Sequence, residues 1–129
     1  MSQASVEIVR GAVERFMATR EVTWDVLAED LEVHDHDILD GRDYRGHAGF
    51  GLWLDDWGVA WADWSYDAEE FIDAGDHVVV VLRMKVEGRS SGVQVERQDV
   101  LVWKLHNGKA TRLDYYNSRE QALQAVGLA

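Results

Sequence analysis

Residues 93–117 read VQVERQDVLVWKLHNGKATRLDYYN, two β-rich runs separated by Asn107-Gly108. Asn-Gly supplies the positive φ angles of a two-residue turn, so the stretch predicts a long antiparallel hairpin. Side chains alternate along a strand, which places Asp99, Leu101, Trp103 and Leu105 on one face. A carboxylate at the head of an apolar row is unusual for plain core. On the return strand Asp114 stands among Leu113, Tyr115 and Tyr116, a second acid in aromatic surroundings. This combination points to a pocket built on a sheet.

The rest of the chain supplies what would cover that sheet. Val6, Val9, Val13, Phe16 and Met17 recur at helical steps, predicting an amphipathic helix over residues 5–20. Thr23 is placed to cap a second short helix carrying Trp24, Leu27, Ala28 and Leu31. The alternating LEVHDHD at 31–37 reads as a strand, and Asp40-Gly41 and Gly46 mark a charged loop. Phe50, Trp53, Leu54, Trp57 and Trp61 then predict a third helix over 47–63. From Trp64 onward the pattern is β: a strand over 65–72, a turn at Ala74-Gly75-Asp76, and a strand over 77–86. In that last strand Val78, Val80, Leu82, Met84 and Val86 share one face, and Val79 and Val81 the other. Residues 88–92 form a turn-rich link into the hairpin. Ser118 with Gln121 makes a capping-box pattern for a final short helix, which Gly127 would stop.

A chain of 129 residues fits a single domain, taken as residues 1–129. Its 24 Asp and Glu against 13 Lys and Arg give a net charge of −11, which repels phosphate backbones and anionic lipid, so neither nucleic acid nor a membrane surface is an expected partner. There are no cysteines, which excludes disulfides and thiol nucleophiles. No apolar run approaches a membrane span, and residues 1–20 lack the apolar core of a secretory leader, so a cytoplasmic setting is expected. Valines on both faces of the hairpin region suggest that the outer sheet surface is covered too, and a homodimer through Val79, Val81, Val100 and Val102 is the expected cover.

Helices first and then strands joined by short turns argue for an α+β fold: three helices of the N-terminal half on one face of a curved, mostly antiparallel sheet, with a short C-terminal helix. The element order, YRGHAGF at the third helix and HNGKATRLDYYNSREQAL at the end make the chain resemble the NTF2-like superfamily, and most closely its SnoaL-like members. That resemblance implies a cone-shaped sheet wrapped around a pocket.

Relatives of this kind also suggest roles. By similarity to ketosteroid isomerases, Asp35 in EVHDHD matches the general-base position and Asp99 approximates an acidic hydrogen-bond donor. Phe16 stands where that family has a donor tyrosine, and a phenyl ring donates nothing. Asp114 in RLDYYN is similar to an acid of limonene epoxide hydrolases, but their Arg-x-Asp is Arg83-Met84-Lys85 here. The resemblance to SnoaL-type polyketide cyclases makes Asp99 and Asp114 eligible for proton transfer in ring closure.

Asp35, Asp99 and Asp114 are therefore the candidate catalytic residues. Phe16, Trp24, Trp53, Trp57, Trp103 and Tyr116 are the candidate lining of a site for a flat hydrophobic molecule. His34 and His36 share a strand face, yet two imidazoles are too few for a zinc centre, and no metal or cofactor is expected. The expectation is a pocket protein for a small hydrophobic molecule with cofactor-independent acid/base chemistry of isomerase, cyclase or hydrolase type. Phe16 and Lys85 keep its standing as an enzyme open. The alternative is a non-catalytic ligand-binding or dimerisation module.

Overall fold

The computed structural model describes residues 2–36 and 43–128. Helix α1 (Ser2–Thr19) leads into a single 3-10 turn at Trp24–Val26 and strand β1 (Leu27–Asp35). After β2 (Asp43–Arg45) comes α2 (Gly46–Ala60), and then the strands β3 (Trp61–Ala74), β4 (His77–Gly88), β5 (Gln94–His106) and β6 (Lys109–Tyr116), closed by α3 (Arg119–Ala125). The sheet order is β2-β1-β6-β5-β4-β3, with β1 parallel to β6 and every other pair antiparallel. This curved sheet does not close, because β2 and β3 remain its edges.

Two expected boundaries differ. Leu27, Ala28 and Leu31 belong to β1 rather than to a second helix, and the Thr23 side chain makes no capping bond. Both patterns bury Leu27 and Leu31, and pairing of Leu27 with Ala110 across to β6 decides for the strand. The third helix ends at Ala60, so Trp61 opens β3 instead of extending the aromatic helical stripe. The expected loop at Asp40-Gly41 and the side chain of Asp37 lie outside the described residues.

The main core lies between the inner sheet face and helices α1 and α2. Val6, Val9 and Val13 of α1 and Phe50, Trp53 and Trp57 of α2 meet Val78, Val80, Leu82, Met84 and Val86 of β4 there. The Tyr66 hydroxyl on β3 donates to the Val13 carbonyl at 2.6 Å, fixing α1 on the sheet. Helix α2 sits so close to β2 that a Cβ on Gly49 would come within 2.8 Å of the Tyr44 backbone. The Tyr44 hydroxyl also donates to Asp56 at 2.7 Å.

The outer face carries a second, smaller core. Val79, Val81, Val100 and Val102 pack with Ala122 of α3, flanked by Leu123 and Val126. All four valines are buried within the one chain. The Ser118 hydroxyl accepts from the Gln121 amide at 3.2 Å, as the capping pattern predicts, and Gly127 ends the helix at φ 76°. Among the described residues no helix is long and apolar enough to cross a membrane.

Candidate functional site

An apolar cavity of about 90 Å³ opens inside the main core. Phe16 of α1, Trp53 and Trp57 of α2, Trp64 and Tyr66 of β3, and Trp103 and Tyr115 of the hairpin form its aromatic walls. Four of the six expected lining residues, Phe16, Trp53, Trp57 and Trp103, are therefore brought together. Trp24 is 41% exposed and packs against His47 and Phe50 beside the cavity. Tyr116 faces the outer core, its ring stacked at 4.4 Å on His36.

Behind the cavity wall lie two of the candidate acids. Register aligns Asp35, Tyr115 and Leu101 in one inward row across β1, β6 and β5. Asp35 is buried, and its Oδ2 accepts from the indole N–H of Trp53 at 2.7 Å and of Trp57 at 3.3 Å. These donors come from consecutive turns of α2, four residues apart, so one helix face grips one carboxylate oxygen. Asp99 is fully buried; its Oδ2 accepts from the Tyr115 hydroxyl and, at 3.0 Å, from Arg97 Nε. The Arg97 guanidinium in turn lies 5.6 Å over the Trp57 ring, and Trp53 and Trp57 both meet Tyr115 edge-on. Burial, then the charge of Asp99 and the hydrogen bond to it, push the Tyr115 phenol far above its ordinary range. It is a neutral donor at any physiological pH.

Asp114 stands apart from this pair. The two-residue turn at Asn107-Gly108 forms as expected, with φ of 51° and 78°. Uninterrupted counting back from that turn would set Asp114 opposite Leu101, facing the cavity. Instead Leu105 pairs with Ala110 and Lys104 with Arg112, so Thr111 is an extra residue and β6 bulges. One inserted residue exchanges the two faces of everything beyond it. Leu113 and Tyr115 consequently turn inward, and Asp114 turns outward opposite Val102. There Arg112 binds it with both Nε and Nη2, at 2.8 and 3.0 Å, and His36 Nε2 lies 2.8 Å from it. Desolvation is the largest single influence on Asp114 and opposes ionisation, but the bonds and charges of Arg112 and His36 together outweigh it. Its carboxyl is held below the usual range.

Arg97 was readable as a partner of Asp99, since two residues along β5 share a face, and Tyr115 as one of the aromatics available to the cavity. The hydrogen bond from Tyr115 to Asp99 was not, because the bulge in β6 sets it. His34 is near Glu32 and His36 near Asp114, and among the described residues no group of three or more His, Asp or Glu could hold a metal ion.

Residues 8–113 match the SnoaL-like domain family. The chain belongs to that family, whose resemblance to NTF2-like proteins its architecture bears out. Solved structures that it resembles include an NTF2-like protein of unknown function from Burkholderia pseudomallei K96243, 21% identical, covering 96% of this chain and 98% of that one with a TM-score of 0.79. TerC, co-crystallised with polyporic acid, is 21% identical over 95% of this chain and 98% of that one, at a TM-score of 0.74. A protein of ketosteroid isomerase-like fold from Catenulispora acidiphila DSM 44928, in complex with trimethylamine, is 18% identical over 95% and 94%, at 0.72. These likenesses concern the fold. Among curated proteins none matches the chain.

Proposed function

We propose that the protein binds a small, flat, largely apolar molecule in the aromatic cavity and performs cofactor-independent acid/base chemistry on it, with Asp35 as the proton-transferring carboxylate. The observation that carries this reading is the placement of Asp35 and Asp99 directly behind the Trp53, Trp57 and Tyr115 wall of an otherwise apolar cavity. The two indoles hold Asp35 in one orientation. The Tyr115 and Arg97 contacts hold Asp99, and through it the ring that closes the wall. Once Trp53 or Trp57 shifts aside, a carboxylate behind that wall can relay a proton next to a carbonyl, the common step of isomerisation and aldol cyclisation. TerC, which shares the fold, was co-crystallised with polyporic acid, in keeping with a small organic ligand for this fold. Asp114 has no part in the scheme, since it faces the other side of the sheet.

Size limits the ligand. An apolar cavity of about 150 Å³ takes up benzene, and drug-sized ligands occupy about 300 Å³ or more. At about 90 Å³, this one admits a monocyclic ligand only with small side-chain movements. The test is deuterium exchange at the carbon next to the carbonyl of small aryl ketones, followed by NMR in heavy water. Exchange above the buffer rate, lost in Asp35→Asn while binding persists, is the expected result. Binding without any exchange would leave the non-catalytic reading.

That second reading has its own support. Both carboxylates already accept strong donors, and Phe16 and Lys85 stand where enzyme relatives are expected to carry catalytic partners. The cavity would then store or sense its ligand. Homodimerisation belongs to the same proposal, although α3 already covers the four outer valines. Contact would fall on the rim at Ile72 and Tyr116 and on the charged Glu69, Arg83 and Glu96. A monomeric mass at micromolar concentration would dismiss it. The cytoplasmic setting expected from the sequence is likewise proposed, for test by cell fractionation.

A further inference from the structure

Two buried polar atoms at the cavity have no hydrogen-bond partner among the described residues: Nε1 of Trp103 and Oγ1 of Thr23. Trp103 is only 8% exposed, and both residues line the cavity, Trp103 from β5 and Thr23 from the segment after α1. An indole N–H can only donate, whereas a threonine hydroxyl can donate or accept. Leaving either group dry costs its full desolvation, so native interiors nearly always satisfy them. The Trp53 and Trp57 indoles and the Tyr66 and Tyr115 hydroxyls, which also line it, already donate elsewhere. Neither atom is open to the cavity as it stands, so the remaining candidate partner is a ligand whose entry moves these side chains slightly.

We infer that the ligand carries a neutral hydrogen-bond acceptor oxygen, of carbonyl or ether type, which binds at Trp103 and Thr23. This rests on the cavity being a ligand site, as proposed above, and specifies the chemistry of one end of the ligand. A carboxylate or phosphate does not suit the position. Among the described residues no lysine or arginine lines the cavity, and an anion buried without a partner charge is strongly disfavoured.

Strand register places this anchor away from the acids. Val33, Leu113 and Trp103 form the inward row next to that of Asp35, Tyr115 and Leu101. Two strand spacings across and two residues along put Trp103 and Asp35 roughly 12 Å apart at their backbones. The acceptor held here is a second polar group, distinct from the carbonyl on which Asp35 is proposed to act, and the apolar body of the ligand extends from it toward Trp53 and Trp57. Trp103 also borders a void of about 20 Å³ with Ile8, Val9, Leu105 and Ala110. One water has room there, but those apolar side chains offer it little to bond.

Acetophenone and α-methylstyrene test the idea, because they differ by C=O against C=CH₂ at nearly constant shape. Their affinities are measured by calorimetry for the native chain, Trp103→Phe and Thr23→Val, and the indole N–H resonance of Trp103 is followed by NMR. The expected result is a downfield shift of that resonance with acetophenone alone. The ketone-to-hydrocarbon affinity ratio should fall about fivefold or more in each variant. Thr23→Val keeps the side-chain shape and stands in should Trp103→Phe fold poorly. If both compounds bind and every ratio is unchanged, the acceptor anchor is wrong and the cavity reading survives. If neither compound binds the native chain, the cavity reading falls with it.

Discussion

The Trp53 indole N–H donates to Oδ2 of Asp35 at 2.7 Å, joining the centre of α2 to the last residue of β1. Trp57 adds a longer bond of 3.3 Å to the same oxygen. A buried carboxylate and two buried indoles thereby satisfy one another, and the helix is fixed in register against the sheet.

Asp35→Ala removes the acceptor and strands both indole N–H groups, so it should destabilise the fold by about 3 kcal/mol or more. Asp35→Asn keeps an acceptor oxygen and should cost roughly half of that. Between the donors, Trp53→Phe should lower the urea midpoint more for its lost hydrogen bond than Trp57→Phe, in line with the shorter distance. Equal urea midpoints for Asp35→Ala and Asp35→Asn would mean that the acceptor role is unimportant.

Asp114 leads to a pH prediction with a definite sign. Its folded-state carboxyl is held below the ordinary value by Arg112 and His36, against the opposing effect of desolvation. A depressed folded pKa contributes stability that is fully present above the unfolded value, about 3.9 for Asp, and is lost as pH falls through the folded value. The native chain should therefore exceed Asp114→Asn in stability near neutrality, and the gap should close as the solution is acidified below about pH 4. Chemical unfolding at a series of pH values measures it. A gap that stays constant down to the acid limit would contradict the ion-pair account.

How much of this was readable from the residues depended on how local the signal was. The Asn107-Gly108 turn, the alternating valines of β4 and the Ser118 cap are short-range patterns, and each took its expected place. Asp99 fell inward as expected because its row with Leu101 and Trp103 lies on one uninterrupted strand. Asp114 and Tyr115 exchanged faces because of the bulge at Thr111, and no residue type there compels a bulge: Thr111 fits an ordinary strand as well. Leu27 and Leu31 satisfy a helical spacing and a strand equally, and only their pairing with β6 settles it. The grip of Trp53 and Trp57 on Asp35 could not be read, since α2 and β1 meet only in the folded chain.

Two glycines of α2 should respond oppositely to alanine. At Gly49 a Cβ would lie 2.8 Å from the Tyr44 carbonyl carbon, whereas at Gly51 nothing comes within 4 Å. Alanine favours a helix interior over glycine by about 1 kcal/mol. Gly51→Ala should raise stability by up to that amount. Gly49→Ala must push α2 off β2, loosening the Tyr44–Asp56 bond as well, and should lower stability despite the same propensity gain. Thermal melts of the two variants distinguish the cases, and a stabilised Gly49→Ala would show that the close approach is not real.

Helix α3 accounts for the outer valines without a second subunit, and this too is testable. Ala122 is fully buried against Val79, Val81, Val100 and Val102. Ser118→Ala removes the cap bond to Gln121 and should cost about 1 kcal/mol of helix stability. Ala122→Asp places a carboxylate in the apolar contact itself and should detach the helix. The strands hold their inner core regardless, so far-ultraviolet circular dichroism should keep its sheet signal while binding of a hydrophobic dye rises. Four newly exposed valines on a sheet face also invite association, which light scattering would register. Gln124→Asp, at an exposed position of the same helix, serves as control and should behave like the native chain. If Ala122→Asp binds no more dye and scatters no more light than that control, α3 is not what covers the outer face.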